Sequence, residues 1–145
     1  MIGYLDTSAL LKLLLHDEDG ADVVREVIGA ADMNFTSRIS HPEARAALAA
    51  ARRAGRLGAD DHMRSKRDID RAIASLRIVE LRAGLARAAG DVAERFELRA
   101  YDAVHLASAL VVDEGSTVVV TWDRAFASAA SAAGLGVAPR QGRQR

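Results

Sequence analysis

The row Ser116-Thr117-Val118-Val119-Val120-Thr121 leaves a folding chain few options. β-branched side chains crowd a helix but pack well on a pleated surface. Because the row does not alternate with polar residues, both faces of the strand it forms need cover. That is the place of an interior strand in a parallel sheet with helices on either side. A shorter apolar run, Ile2-Gly3-Tyr4-Leu5, has the same character and stops abruptly at Asp6.

Helical stretches separate the strand candidates. After Asp6, Thr7 or Ser8 is expected to cap a helix that carries Ala9 to Leu15. Residues 20–31 place Val23, Val24, Val27 and Ile28 on one helical face, and Met33 to Ser37 read as a second strand. Ser40 or a neighbour should cap a helix that has Pro42 and Glu43 in its first turn and ends near Gly55. A polar helix follows from about Asp60 to Ser75, then a short strand at 77–81 and a helix over 82–97. Asp102 opens the next helix, and another begins at Trp122-Asp123, after the valine row. A weak last strand is expected at 136–138. Strands alternating with helices predict a three-layer α/β/α domain around a central, mostly parallel sheet of four to five strands. The domain is expected to span 1–138, with 139–145 a basic, flexible tail.

Composition narrows the chemistry. The 145 residues include no cysteine, which excludes disulfides, thiolate zinc sites and a cysteine nucleophile. Twenty basic and twenty acidic side chains cancel, so any hold on a nucleic acid must come from a local patch. No basic leader with a long apolar stretch opens the chain, and no segment approaches the roughly 20 apolar residues of a membrane span. A soluble, cytoplasmic protein without membrane contact is the expectation.

Ligands of open parallel sheets bind beyond the carboxyl ends of the strands. Asp6 ends the first strand and Asp123 the fourth, while Glu43 and Asp102 lie in first helical turns near the same edge. Four carboxylates gathered at one rim repel one another, and a divalent cation resolves the conflict. With oxygen donors alone the expected ion is Mg²⁺, with Mn²⁺ as a substitute. Mg²⁺ commonly shares its shell between protein carboxylates and phosphate oxygens, which points to phosphodiester chemistry.

These residues resemble the motifs of PIN domains. Tyr4-Leu5-Asp6-Thr7-Ser8-Ala9-Leu10 is similar to the family's opening motif, and Glu43 after Pro42 to its second acid. Arg99-Ala100-Tyr101-Asp102-Ala103-Val104-His105-Leu106-Ala107 resembles the third motif, and Val120-Thr121-Trp122-Asp123-Arg124-Ala125-Phe126 the fourth. The likeness spans 2–126 and is strongest to the VapC-type toxins of bacterial toxin–antitoxin pairs. It implies a PIN-like fold and a Mg²⁺-dependent endoribonuclease that cuts RNA, usually a homodimer, restrained by a VapB-like antitoxin. It further implies Asp6 and Asp102 as principal metal ligands, Glu43 and Asp123 as assisting acids, and Thr7, Ser8 and Thr121 as pocket lining. Where many relatives carry a polar or acidic residue before the last acid, this chain has Trp122.

Other readings of the same residues exist. Asp6, Asp102 and Asp123 each suit a helix N-cap, and Glu43 suits the positive end of a helix dipole. His105 reads as a packed histidine, while His16, His41 and His62 have no site-like spacing. Arg52, Arg53, Arg56, Arg64, Lys66, Arg67 and Arg71 are either an RNA guide or a solvated face interspersed with Asp60, Asp61, Asp68 and Asp70. Arg140, Arg143 and Arg145 belong to the tail. A receiver-type phosphoacceptor needs an Asp after the third strand and a late lysine, but Arg77-Ile78-Val79-Glu80-Leu81 lacks the one and no lysine follows Lys66. A catalytically silent PIN-fold binding protein is the remaining alternative.

Overall fold

The computed structural model describes residues 1–15 and 19–140. His16 and the tail positions 141–145, Arg143 and Arg145 among them, lie outside the described residues. The elements run β1 (Ile2–Leu5), α1 (Thr7–Leu14), α2 (Ala21–Ala30), β2 (Met33–Ser37), α3 (Ser40–Arg53), α4 (Ala59–Ala74), β3 (Arg77–Val79), α5 (Ala83–Phe96), α6 (Ala100–Val111), β4 (Thr117–Val120), α7 (Arg124–Ala132) and β5 (Gly136–Ala138). The strands form one sheet in the order β3-β2-β1-β4-β5, and every neighbouring pair is parallel.

Alternation along the strands sorts the core into two layers. Leu5 and Val120 face one side, where they pack with Leu10, Val24, Leu48 and Ile69 from α1 to α4. Tyr4 and Val119 face the other, against Leu106 of α6 and Phe126 and Ala130 of α7, with Val92 and Phe96 of α5 alongside. The expected three layers are therefore present. Tyr4, Leu5, Val119 and Val120 are fully buried, as interior parallel strands require.

Several local expectations need correction. The cap of α1 is Asp6 rather than Thr7 or Ser8: its carboxylate accepts the Ala9 amide at 2.9 Å. At α3 the capping position falls on Ile39, whose hydrocarbon side chain cannot cap, and Ser40 is the first helical residue, with its hydroxyl 2.7 Å from Thr36 Oγ1. Helix α6 begins at Ala100, two residues before Asp102, with Arg99 at its cap position. Strand β3 stops at Val79, and Glu80 beyond it pairs with Arg38 at the surface. Strand β4 stops at Val120, three residues short of Asp123.

Candidate functional site

Strand order places a switch point between β1 and β4: from β1 the sheet grows through β2 and β3 on one side, and through β4 and β5 on the other. Crevices at such points, outside the carboxyl ends of the strands, are where open parallel sheets bind ligands. Leu5 and Val120 are register partners, so the next residues, Asp6 and Thr121, leave the sheet side by side. The Asp6 amide still donates to Val120 O at 3.3 Å, and the Thr121 amide to Ala138 O at 3.0 Å.

Asp6 is buried and held from three directions. Its Oδ1 accepts from Ser8 Oγ at 2.7 Å as well as from the Ala9 amide, and its Oδ2 accepts from Thr121 Oγ1 at 2.5 Å. The two hydroxyls are themselves fixed, since Ser8 Oγ accepts the Trp122 amide at 2.9 Å and Thr121 Oγ1 the Asp123 amide at 3.0 Å. Burial pushes the Asp6 carboxyl above its ordinary pKa despite these donors and the charge of His105. A carboxylate that is desolvated yet kept in a rigid orientation stores electrostatic cost, and a cation relieves such cost.

Glu43 lies in the first turn of α3 and reaches across the end of the sheet. Its Oε1 accepts from Thr7 Oγ1 at 2.8 Å and stands 2.7 Å from His105 Nε2 on α6. A carboxylate only accepts, so Nε2 donates to Glu43, while Nδ1 lies 2.9 Å from the Tyr4 hydroxyl. Partial burial works to raise the Glu43 pKa, but the hydrogen bond and charge of His105, with the Thr7 hydroxyl, outweigh it and hold Glu43 below the ordinary value. Tyr4, buried completely, is pushed well above a tyrosine's ordinary pKa and keeps its proton.

Asp102 and Asp123 form the third part. Burial, then the negative charge of Asp123, raises the Asp102 pKa against the opposing charge of Arg99. The Arg99 guanidinium bridges the two acids, with Nε 3.4 Å from Asp102 and a terminal nitrogen 3.8 Å from Asp123. Asp123 also caps α7 by accepting the Phe126 amide at 2.8 Å. Capping is thus a real duty of both Asp6 and Asp123, and it coexists with their position at the rim.

The quartet therefore stands as three linked parts: Asp6 with Ser8 and Thr121, Glu43 with Thr7 and His105, and Asp102 with Asp123. Among the described residues no three acidic or histidine side chains are gathered closely enough to grip an ion as they stand. In donor chemistry the residues fit a hard divalent cation, since they offer carboxylate and hydroxyl oxygens and no thiolate, and Asp6 and Asp102 are both perturbed in the direction an added positive charge would relieve.

Reading by sequence treated His105 as packing, and it is indeed buried, yet it also joins Glu43 to Tyr4. Arg99 stood there only as the first residue of the third motif, with no role of its own; the signal for one was the three-residue spacing to Asp102. Trp122 does not point acid into the rim. Its ring takes the Lys12 ammonium 5.5 Å from its centroid and lies against Gly20, where a Cβ would come within 2.4 Å of Trp122 Cζ2. His41 pairs with Asp70 at 2.9 Å on the surface, and exposed Arg64 and Arg71 pair with Asp61 and Asp68 on α4.

Residues 3–132 match the model of the PIN domain family. Ribonuclease VapC45 of Mycobacterium tuberculosis (strain CDC 1551 / Oshkosh) is 43% identical over 138 residues, covering 95% of each chain. Ribonuclease VapC49 of Mycobacterium tuberculosis (strain ATCC 25618 / H37Rv) is similar to the same extent. Among solved structures, VapBC2 from Rickettsia felis bound to a DNA fragment from their promoter superimposes with a TM-score of 0.67 at 15% identity, covering 94% of this chain and 97% of that one. FitAcB from Neisseria gonorrhoeae does so with a TM-score of 0.66 at 20% identity, covering 94% and 96%. Likeness at those identities speaks to the fold, which agrees with the layered parallel sheet described above. With most of its length matched by the family model and two relatives alike almost end to end, the chain belongs to the PIN domain family.

Proposed function

We propose that this chain is a Mg²⁺-dependent endoribonuclease, the toxin of a VapBC-type pair, whose metal is held at the β1/β4 rim. The observation that carries the reading is the 43% identity, over 95% of each chain, to two proteins called ribonucleases. The rim supplies chemistry that suits it. Asp6 and Asp102 are assigned as the principal ligands, with Glu43 and Asp123 acting directly or through water. When bound, a divalent ion supplies positive charge to the scissile phosphate and lowers the pKa of water. Mn²⁺ is assigned as a substitute on the same oxygen-donor logic.

The protein's own groups then have separable tasks. Ser8 and Thr121 fix the two oxygens of Asp6, so that its remaining lone pairs keep one direction. His105 and Thr7 hold Glu43 ionised at neutral pH, ready to accept a hydrogen bond from a water. Thr7, Ser8 and Thr121 also line the floor of the pocket. Arg99 offsets the paired charge of Asp102 and Asp123 and can turn to a phosphate oxygen, since its side chain is exposed.

On this reading the partners are an RNA substrate, a second copy of the chain and a VapB-like antitoxin, and the place of action is the cytoplasm. No helix among the described residues is long and apolar enough to cross a membrane. The test is a digest of total RNA by the purified chain: fragments should form with Mg²⁺ or Mn²⁺ and not with a chelator. Intact RNA under all conditions would overturn the proposal.

A further inference from the structure

Outside the acidic rim, α7 and β5 enclose a groove of about 500 Å³, within the usual range of ligand clefts. It is lined by apolar Ala127, Leu135 and Val137, by Ser128 and Ser131, and by Arg124 and Arg140. Among the described residues no acidic side chain lines it. Both arginines are exposed, and neither makes an ion pair with another described residue.

The groove is continuous with the rim through the chain itself. Arg124 opens α7 directly after its cap, Asp123. Arg140 follows β5 by two residues, and the last residue of β5, Ala138, accepts the amide of Thr121, whose hydroxyl holds Asp6. Two cations without an ion-pair partner among the described residues thus line the groove, close along the chain to carboxylates that would repel any anion not neutralised nearby. Arginine is suited to phosphate because its planar fork binds two oxygens at once, and serine hydroxyls add neutral donors. Of polyanions, a nucleic acid strand has the reason to lie here, since one of its phosphates must sit at the rim for cleavage while its neighbours need counter-charge.

We propose that the α7/β5 groove is a phosphate-backbone track for single-stranded RNA, with Arg124 and Arg140 each taking a phosphate flanking the one that is cut. The inference rests on the ribonuclease reading for its occupant. Local spacing carries no hint of it, because Arg124 and Arg140 are sixteen positions apart and come to line one groove only through the packing of α7 on β5.

The test is binding of a fluorescein-labelled single-stranded RNA to the full chain with a chelator present, so that nothing is cut, followed by anisotropy as salt is raised. Arg124→Ala/Arg140→Ala should weaken binding about tenfold or more at low salt and reduce the salt slope by about 1.4, the value for two single-strand phosphates. Ser131→Lys, which adds charge to the groove, should tighten binding. Arg25→Ala/Arg87→Ala, an equal loss of charge elsewhere on the surface, should leave the slope unchanged. Equal slopes for the groove pair and the control pair overturn the proposal, as does a poly-glutamate peptide that binds as tightly as RNA and is lost equally. Failure of the unaltered chain to cut RNA with Mg²⁺ would count against the ribonuclease reading, while the groove is judged by the binding arm alone.

Discussion

Glu43 Oε1 and His105 Nε2, 2.7 Å apart, join the two helical layers of the molecule across the carboxyl end of the sheet. Helix α3 packs on one face through Ala44 and Leu48, and α6 on the other through Leu106 and Ala109. The link is polar and largely buried, His105 being 3% exposed. His105→Leu should therefore cost about 2–3 kcal/mol, since it leaves the Tyr4 hydroxyl and Glu43 short of a partner. Urea unfolding measures the loss, and a change below about 0.5 kcal/mol, the scale of an inert surface substitution, would contradict it.

The same pair sets an acid limit. Glu43 has a folded pKa below its ordinary 4.5, so the stability it contributes is present above that value and is lost as pH falls through the lowered one. Stability against pH should steepen below about 4.5, and Glu43→Gln should flatten that region. An unchanged acid slope in the variant would show that His105 and Thr7 do not favour the charged form.

Asp6 has the opposite sign. Its pKa is raised by burial, so folding is favoured while it is protonated, and that contribution is lost as pH rises through the folded value. At neutral pH without metal, Asp6→Asn should raise the melting temperature, because asparagine caps a helix as well as aspartate does and carries no charge to bury. A lower melting temperature would mean that the hydrogen bonds from Ser8, Ala9 and Thr121 already satisfy the charge.

Thr121 serves two groups at once, donating to Asp6 Oδ2 and accepting the Asp123 amide. Thr121→Val should lower stability by roughly 1–3 kcal/mol, as expected for buried polar atoms left without partners. Metal affinity, read by titration calorimetry, should fall with it, because Asp6 loses its fixed orientation. Unaltered affinity would separate the hydroxyl from the site.

Much of this could be read from local pattern. The valine row and the run that stops at Asp6 gave the interior strands β4 and β1, because a row buried on both faces has no other economical conformation. Asp6, Glu43, Asp102 and Asp123 stood out because each lies where a strand ends or a helix starts. The cap of α1 was misassigned to Thr7 or Ser8, since Asp6 serves cap and rim together and sequence does not weight the two. The link from Glu43 to His105, and the sharing of one groove by Arg124 and Arg140, depend on which helix packs on which face of the sheet, and local spacing does not carry that information.

Asp102, joined to Asp123 through Arg99, is the residue assigned to hold the cation that cutting RNA requires. Mg²⁺-dependent cleavage of RNA by folded Asp102→Asn, set beside the unaltered chain, tests it most directly. The rate should drop by more than the roughly hundredfold that loss of an outer-shell partner costs, with the melting temperature maintained. A folded variant that cuts RNA with Mg²⁺ as fast as the unaltered chain would contradict the account.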